Sequence, residues 1–168
     1  LLEIGFGNGA HLPYLFAKAP YIHYTGVERS KQMTMDATDL NHELVAQGKA
    51  VFLHTPTGSL PSLPHESFEV CFTVNTYYFI TDLKAYFQQI YSLLRQGGSF
   101  VLGAICKEFG ERMPFAKEVF TFYTPEQLRE LLLSVGFTAF DLQTFTEEIP
   151  TKHGILLTRP FEVITVRK

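Results

Sequence analysis

A glycine-rich turn joins the first predicted strand of the sequence to its first predicted helix. Residues 1–4 form a short apolar run, and Gly5, Gly7 and Gly9 follow at alternate positions. From Leu12 onward, apolar residues recur at helical spacing. Glycines remove side chains where a backbone turns sharply and approaches a ligand, and this turn leads into the positive end of a helix. We therefore expect an α/β chain whose first turn binds a nucleoside-containing ligand.

Strand and helix patterns alternate along the rest of the chain. Strands are predicted over residues 1–4, 23–28, 51–53, 68–74, 99–105, 137–142 and 161–166. Helices are predicted to begin after three N-cap residues, Ser30, Asp82 and Thr124. They are predicted to end at three glycine positions, Gly48, Gly97 and Gly136. No helix separates the last two strands, which are therefore expected to be antiparallel neighbours. This order predicts a Rossmann-like, mainly parallel seven-stranded sheet with a terminal antiparallel strand and helices on both faces.

Length and composition suit a single folded domain over residues 1–168. Hydrophobic residues make up 46% and charged residues 18%, which is too apolar for a disordered chain, and no apolar run is long enough to span a membrane. The net charge of −3, without a basic stripe, disfavours nonspecific nucleic-acid binding. Cys71 and Cys106 lie in apolar runs and favour a reducing compartment, so we expect a cytoplasmic protein. Because the sequence starts at Leu1 without an initiator Met, we expect N-terminal helices to be missing.

Residues 1–9 resemble motif I of the class I S-adenosylmethionine-dependent methyltransferases. That motif has an acidic residue two places before its first glycine, where this chain has Glu3. In that family a second acid at the end of the second strand binds both ribose hydroxyls, and Glu28 stands there. A carboxylate can accept two hydrogen bonds from a vicinal diol. The family's later motifs have similar segments here in the same order, at residues 63–70, 74–79, 93–100 and 123–137.

The resemblance implies that the protein is an enzyme that transfers a methyl group from S-adenosylmethionine to a small or medium-sized acceptor. The cofactor-binding residues that it implies are Glu3, Gly5, Phe6, Gly7, Gly9, Glu28, Arg29 and Asn75. Relatives often hold the adenine amino group with an acid after the third strand. This chain has Thr57, Gly58 and Ser59 there, so adenine recognition is expected to rest on backbone groups. No metal, nucleic-acid or membrane partner is indicated.

The sequence identifies no catalytic base. Methyl transfer from a sulfonium is an in-line displacement, and holding the two reactants close and aligned provides most of the acceleration. Side chains that could accept a proton are His11, His65, His153, Tyr77 and Tyr78. For the two tyrosines, lining the pocket and packing in the core are both open interpretations. Within residues 109–122, Phe115 and Phe120 are predicted to line an acceptor pocket.

Two other functions stay open at this point. Gly5, Gly7 and Ala10 also satisfy a dinucleotide-binding pattern, so an NAD(P)-dependent oxidoreductase is the alternative enzyme. However, Glu3 would then lie beside a diphosphate, whereas the ammonium and sulfonium of S-adenosylmethionine would balance its charge. The second alternative is a methyltransferase-like module that binds partners without turnover.

Overall fold

Seven strands form one sheet in the computed structural model, which describes residues 1–56, 60–113, 116, 120–150, 154 and 156–168. The strands are β1 (Leu2–Ile4), β2 (Tyr24–Glu28), β3 (Ala50–His54), β4 (Phe68–Val74), β5 (Leu94–Ile105), β6 (Thr138–Pro150) and β7 (Leu156–Arg167). The helices are α1 (Leu12–Lys18), α2 (Lys31–Leu40), α3 (His42–Ala46), α4 (Leu83–Leu93), α5 (Lys107–Gly110) and α6 (Pro125–Val135). A 3-10 turn at Tyr77–Phe79 lies between β4 and α4.

The strand order is β3-β2-β1-β4-β5-β7-β6. Strands β1 to β5 pair in parallel, while β7 is antiparallel to both β5 and β6. The predicted mainly parallel, seven-stranded sheet with a terminal antiparallel strand is therefore confirmed. Because parallel strands run in one direction, the carboxyl ends of β1, β2 and β4 lie at the same edge of the sheet.

Local sequence signals placed the helix caps correctly. The side chain of Ser30 accepts a hydrogen bond from Met33 N, and Asp82 accepts one from Ala85 N. The N-terminus of α6 is a complete capping box of Thr124 and Gln127. Gly136 ends α6 in the left-handed conformation, as predicted.

Two predicted helix ends were wrong. The helix predicted from Ser30 to Gly48 is interrupted at Asn41, whose amide donates to Ala37 O and Gly9 O, and α3 then follows. The helix predicted to end at Gly97 ends at Leu93 instead. Gly97 belongs to β5, and its N–H donates to the carbonyl of Lys168 at the other end of the chain.

The last two strands are longer than predicted. Strand β6 runs to Pro150 and β7 begins at Leu156. The ladder between β5 and β7 ends where Ile105, the last residue of β5, is paired with Phe161, and one further bond runs from Cys106 N to the carbonyl of Pro160. In the described part of the chain, the residues of β7 before Pro160 are paired with β6 alone. This part of the hairpin extends past the sheet, and β6 is mostly exposed, so the buried apolar pattern used to predict strands stops short of its end.

In the part of the chain that the structure describes, two apolar clusters form the core. The larger joins α4 and α6 to β1, β4, β5 and β7, and the smaller joins α1 and α2 to residues of β2 and β3. Among the described residues, no helix has the length and apolar character needed to cross a bilayer.

Candidate functional site

A cavity of about 540 Å³ opens at the carboxyl ends of β1, β2 and β4. Its wall includes the end of β1 with Gly5 and Gly7, residues 27–29 at the end of β2, residues 74–76 at the end of β4, and the start of α4. This is the edge where open α/β sheets bind ligands, and the volume lies in the range of small-molecule and cofactor sites.

Gly5 allows the ends of β1 and β4 to meet. Its φ is +80°, and a Cβ at this position would overlap Cγ2 of Thr76. Thr76 is fixed because its hydroxyl pairs with that of Thr73, which in turn donates to the carbonyl of Ile4 at 2.7 Å. A side chain at Gly5 would therefore push apart the two strand ends that line the cavity.

Gly9 brings the other end of the glycine loop against α2. Its φ is +68°, and a Cβ would lie 2.9 Å from Nδ2 of Asn41 and 3.0 Å from Cβ of Ala37. Nδ2 of Asn41 donates to the carbonyl of Gly9 at 3.2 Å. The break between α2 and α3 thus places a side-chain amide that anchors the loop.

Glu28 has a fixed carboxylate on the cavity wall. One oxygen accepts a hydrogen bond from Gly7 N at 3.1 Å, and the other accepts one from Ser30 N at 2.9 Å. Each oxygen of a carboxylate can accept a second hydrogen bond, so this side chain can still bind a vicinal diol. Sequence reasoning found the residue but not its bond to the loop.

Asn75 lies on the cavity wall just after β4, the strand next to β1, and has a φ of +56°. Its Oδ1 accepts a hydrogen bond from the Tyr78 hydroxyl at 2.9 Å. The same hydroxyl accepts one from Ile105 N at 2.7 Å. Oδ1 of Asn75 is therefore fixed by a buried phenol that also bonds to the end of β5.

Of the eight predicted cofactor-binding residues, the structure brings five to the cavity wall: Gly5, Gly7, Glu28, Arg29 and Asn75. Phe6 is buried in the smaller core cluster. Glu3 is only 4% exposed, and its carboxylate bonds to Tyr24 and His11 on the other side of the sheet from Ile4. Alternation along a strand could have revealed this, because Glu3 and Ile4, as neighbours, must face opposite ways.

After Asn75, the wall continues with residues that the sequence did not single out as cofactor-binding, among them Thr76, Phe79 and Tyr86. The Tyr86 side chain is buried, and this burial raises the pKa of its phenol, while the hydroxyls of Thr73 and Thr76 act in the opposite direction. Nothing in the spacing of Tyr86 distinguishes it from the apolar core positions of the same helix.

The tyrosines named as candidate bases are core residues. Tyr77 and Tyr78 are buried with ring centroids 4.3 Å apart, and neither lies on the wall of the large cavity. Burial raises the pKa of Tyr77 to about 12 and also raises the pKa of Tyr78. Both phenols therefore stay protonated at neutral pH and can donate hydrogen bonds but not act as bases.

The remaining candidates are dispersed. His11 bonds to Glu3 beside the glycine loop, and His65 is exposed just before β4, at the opposite edge of the sheet from the cavity. His153, Phe115 and residues 57–59 lie outside the described residues. Phe120 lines a second cavity of about 400 Å³, and its ring centroid lies 4.7 Å from that of Phe79.

Comparison with known proteins identifies the family of the chain. A family model described as "Methyltransferase domain" matches residues 2–102, more than half of the 168 residues. No curated protein sequence matches significantly. Similar solved structures include a methyltransferase from Thermotoga maritima described as a possible histamine N-methyltransferase, with 24% identity, TM-score 0.66, and 99% of this chain and 81% of that chain covered.

Two further structures share the fold at lower identity. A phosphoethanolamine N-methyltransferase 2 from Haemonchus contortus, in complex with S-adenosylhomocysteine, has 15% identity and TM-score 0.72, covering 99% of this chain and 48% of that chain. The [4+2]-cyclase SpnF has 18% identity and TM-score 0.75, covering 99% of this chain and 74% of that chain. Given the sheet order, the glycine loop and the match over residues 2–102, this chain belongs to the S-adenosylmethionine-dependent methyltransferase family.

Proposed function

We propose that the chain binds S-adenosylmethionine in the large cavity and transfers its methyl group to a small or medium-sized acceptor. The observation that supports this most directly is the carboxylate of Glu28, held on the cavity wall by Gly7 N and Ser30 N. In this proposal Glu28 binds the ribose diol, while Gly5 and Gly7 let the ligand approach the loop backbone. Asn75 and Arg29 contact the ligand from the other parts of the wall.

The glycine loop also argues against a dinucleotide. Dinucleotide folds use free N–H groups at a helix N-terminus to bind the diphosphate. Here the N–H groups of Gly5, Gly7, Gly9, Ala10 and Leu12 already donate to oxygens of the protein. Few donors of the loop are left for a diphosphate, so the oxidoreductase alternative is disfavoured.

The chemistry proposed for the chain is mainly positioning. Bound S-adenosylmethionine supplies a methyl group already activated by the adjacent positive sulfur. The residues of the wall hold it in one orientation, and the acceptor approaches in line with the bond that breaks. Because Tyr77 and Tyr78 are protonated, we propose that they support the wall rather than take a proton from the acceptor.

We place the acceptor beside Phe79, toward Phe120. Phe79 lies on the wall of the large cavity and contacts Phe120 edge to face. Phe120 in turn packs against Phe122 and lines the second cavity, so an aromatic surface connects the two cavities. This arrangement suits an acceptor with an apolar portion.

We also propose that the protein works in the cytoplasm. Its two cysteines, Cys71 and Cys106, are free and buried, as is usual for proteins of reducing compartments.

Isothermal titration with S-adenosylhomocysteine and with NADH tests the proposal. The parent should bind only the former, and Glu28→Gln should weaken that binding by about tenfold or more, because charge-assisted hydrogen bonds are lost. Glu130→Gln, an exposed position on α6, is the matched control and should bind like the parent. The 2′-deoxy analogue of S-adenosylhomocysteine should bind the parent more weakly than S-adenosylhomocysteine does. For Glu28→Gln, the two ligands should differ little in affinity, because the partner of the 2′-hydroxyl is already lost. Equal affinity of Glu28→Gln and Glu130→Gln would remove Glu28 from the ribose role.

A further inference from the structure

Glu3, His11 and Tyr24 form a hydrogen-bonded group, here called the Glu3 cluster. Oε2 of Glu3 accepts a hydrogen bond from the Tyr24 hydroxyl at 2.6 Å and lies 2.8 Å from Nε2 of His11. Glu3 is 4% exposed, whereas the His11 side chain is 42% exposed. A buried carboxylate thus joins a buried phenol to an imidazole that water can reach.

The cluster connects the two ends of the glycine loop. Glu3 precedes the loop in β1, and His11 follows it at the N-cap of α1. Tyr24 belongs to β2, the strand that ends at Glu28, whose carboxylate binds Gly7 in the middle of the loop. A bond between Glu3 and His11 therefore limits how far the loop can open.

We propose that Glu3 and His11 are positioning residues, which set the conformation of the glycine loop for its ligand without contacting that ligand themselves. The proposed function supplies the identity of the ligand, but the proposal concerns the loop of the free chain. The charge on His11 strengthens the bond that holds the loop, because an imidazolium donates a stronger hydrogen bond to a carboxylate than a neutral imidazole does.

The pH dependence follows from the partners of the cluster. The hydrogen bond to Glu3 raises the pKa of His11, against the opposing effect of partial burial. Tyr24 stays neutral because burial raises its pKa. In the described part of the chain, these three residues are the ionisable groups that hydrogen-bond within the cluster. Its contribution is complete at a pH below the ordinary pKa of histidine and is lost as the pH rises through the raised pKa.

Nuclear magnetic resonance of the ligand-free chain is the first test. We expect the backbone amides of Gly5 and Gly9 to shift with the same midpoint as the His11 ring. Glu3→Gln and His11→Gln should each abolish this pH-dependent shift of the two amides. Glu3→Gln is a suitable variant because its amide oxygen can still accept the hydrogen bond from the buried Tyr24 hydroxyl. Amides that do not titrate in the parent, or that titrate unchanged in both variants, would overturn the proposal.

Ligand binding provides the second test. Glu3→Gln should weaken S-adenosylhomocysteine and 5′-methylthioadenosine alike, by about threefold to fivefold, because His11 is partly solvated and its ion pair is screened. The double variant of Glu3→Gln and His11→Gln should bind no more weakly than either single variant. The affinities of the two single variants should no longer depend on pH. His65→Gln, at the opposite edge of the sheet, is the matched control.

5′-Methylthioadenosine lacks the amino-acid portion of S-adenosylhomocysteine and therefore distinguishes two roles of Glu3: positioning the loop and contacting the ligand directly. If Glu3→Gln weakens only S-adenosylhomocysteine, Glu3 contacts the ammonium group directly and the positioning role is wrong. If the parent binds neither nucleoside, the proposed function fails instead, while the titration of the free chain still decides the proposal.

Discussion

Gly5→Ala tests whether the ends of β1 and β4 are held together as closely as the structure indicates. Two effects add at this residue. An L-residue in the left-handed region is destabilised by about 1–2 kcal/mol, and Gly5 has a φ of +80°. The new Cβ would also overlap Cγ2 of Thr76, and moving Thr76 would break its hydroxyl pair with Thr73, which costs about 1 kcal/mol.

The expected loss of unfolding free energy in Gly5→Ala is obtained by comparison with a second glycine that has similar backbone strain but open space around the added Cβ. Gly48 has a φ of +67°, and a Cβ added there would have no heavy atom within 4 Å, so Gly48→Ala should show only the backbone effect. Replacing glycine also lowers the entropy of the unfolded chain, which returns about 0.4–1 kcal/mol in both cases. We expect Gly48→Ala to cost about 1 kcal/mol and Gly5→Ala about 2–3 kcal/mol.

Urea denaturation followed by circular dichroism measures both free energies of unfolding. Thr76→Ser removes the methyl group and keeps the hydroxyl, so it should restore about 1 kcal/mol to Gly5→Ala and nothing to Gly48→Ala. The reasoning is refuted if Gly5→Ala and Gly48→Ala are equally destabilised, or if Thr76→Ser restores nothing.

Two further changes address the support of the site and the fold. Tyr78→Phe should destabilise the chain by about 1–3 kcal/mol, because Ile105 N loses its buried acceptor and Asn75 loses its donor. Denaturant midpoints measure this loss, and an unchanged midpoint would mean that water replaces the phenol. Thr124→Ala removes the capping box with Gln127 and should cost about 1 kcal/mol, measured by thermal unfolding. A loss below a few tenths of a kcal/mol would show that α6 is held by packing alone.

Features encoded within a few residues were predictable from the sequence. The side chains of Ser30 and Asp82 each accept a hydrogen bond from an N–H three residues later, so short-range chemistry determines these helix starts. The order of strands and helices likewise predicted the sheet, because apolar runs and their spacing depend on burial of one chain segment at a time. The family resemblance assigned Glu28 to the cofactor site, and it could do so because the end of a predicted strand is a local feature; the structure places Glu28 on the cavity wall.

What the sequence could not supply are contacts between distant residues. Tyr24 reaches Glu3 across 21 positions, and Tyr78 reaches Ile105 across 27. The first bond holds the Glu3 side chain on its side of the sheet, and the second holds the phenol that fixes Asn75. Each bond depends on strand pairing, which no short sequence pattern specifies. The extension of β6 to Pro150 was missed for a related reason, since its outer half is stabilised by pairing with β7 rather than by burial.

The outermost position of β6 also affects the chain's tendency to aggregate. Among the described residues, no strand pairs with its outer side, so backbone donors and acceptors over much of a 13-residue strand could recruit a strand from a second molecule. Asp141 and Glu148 place negative charge along this margin, whereas the carboxylate of Glu147 is paired with the guanidinium of Arg159 on β7. Pro150 ends the strand without an N–H group. A shift of register between Thr138 and Asp141 bends the other end. Self-repulsion and distortion thus oppose intermolecular strand addition along the longest strand of the sheet.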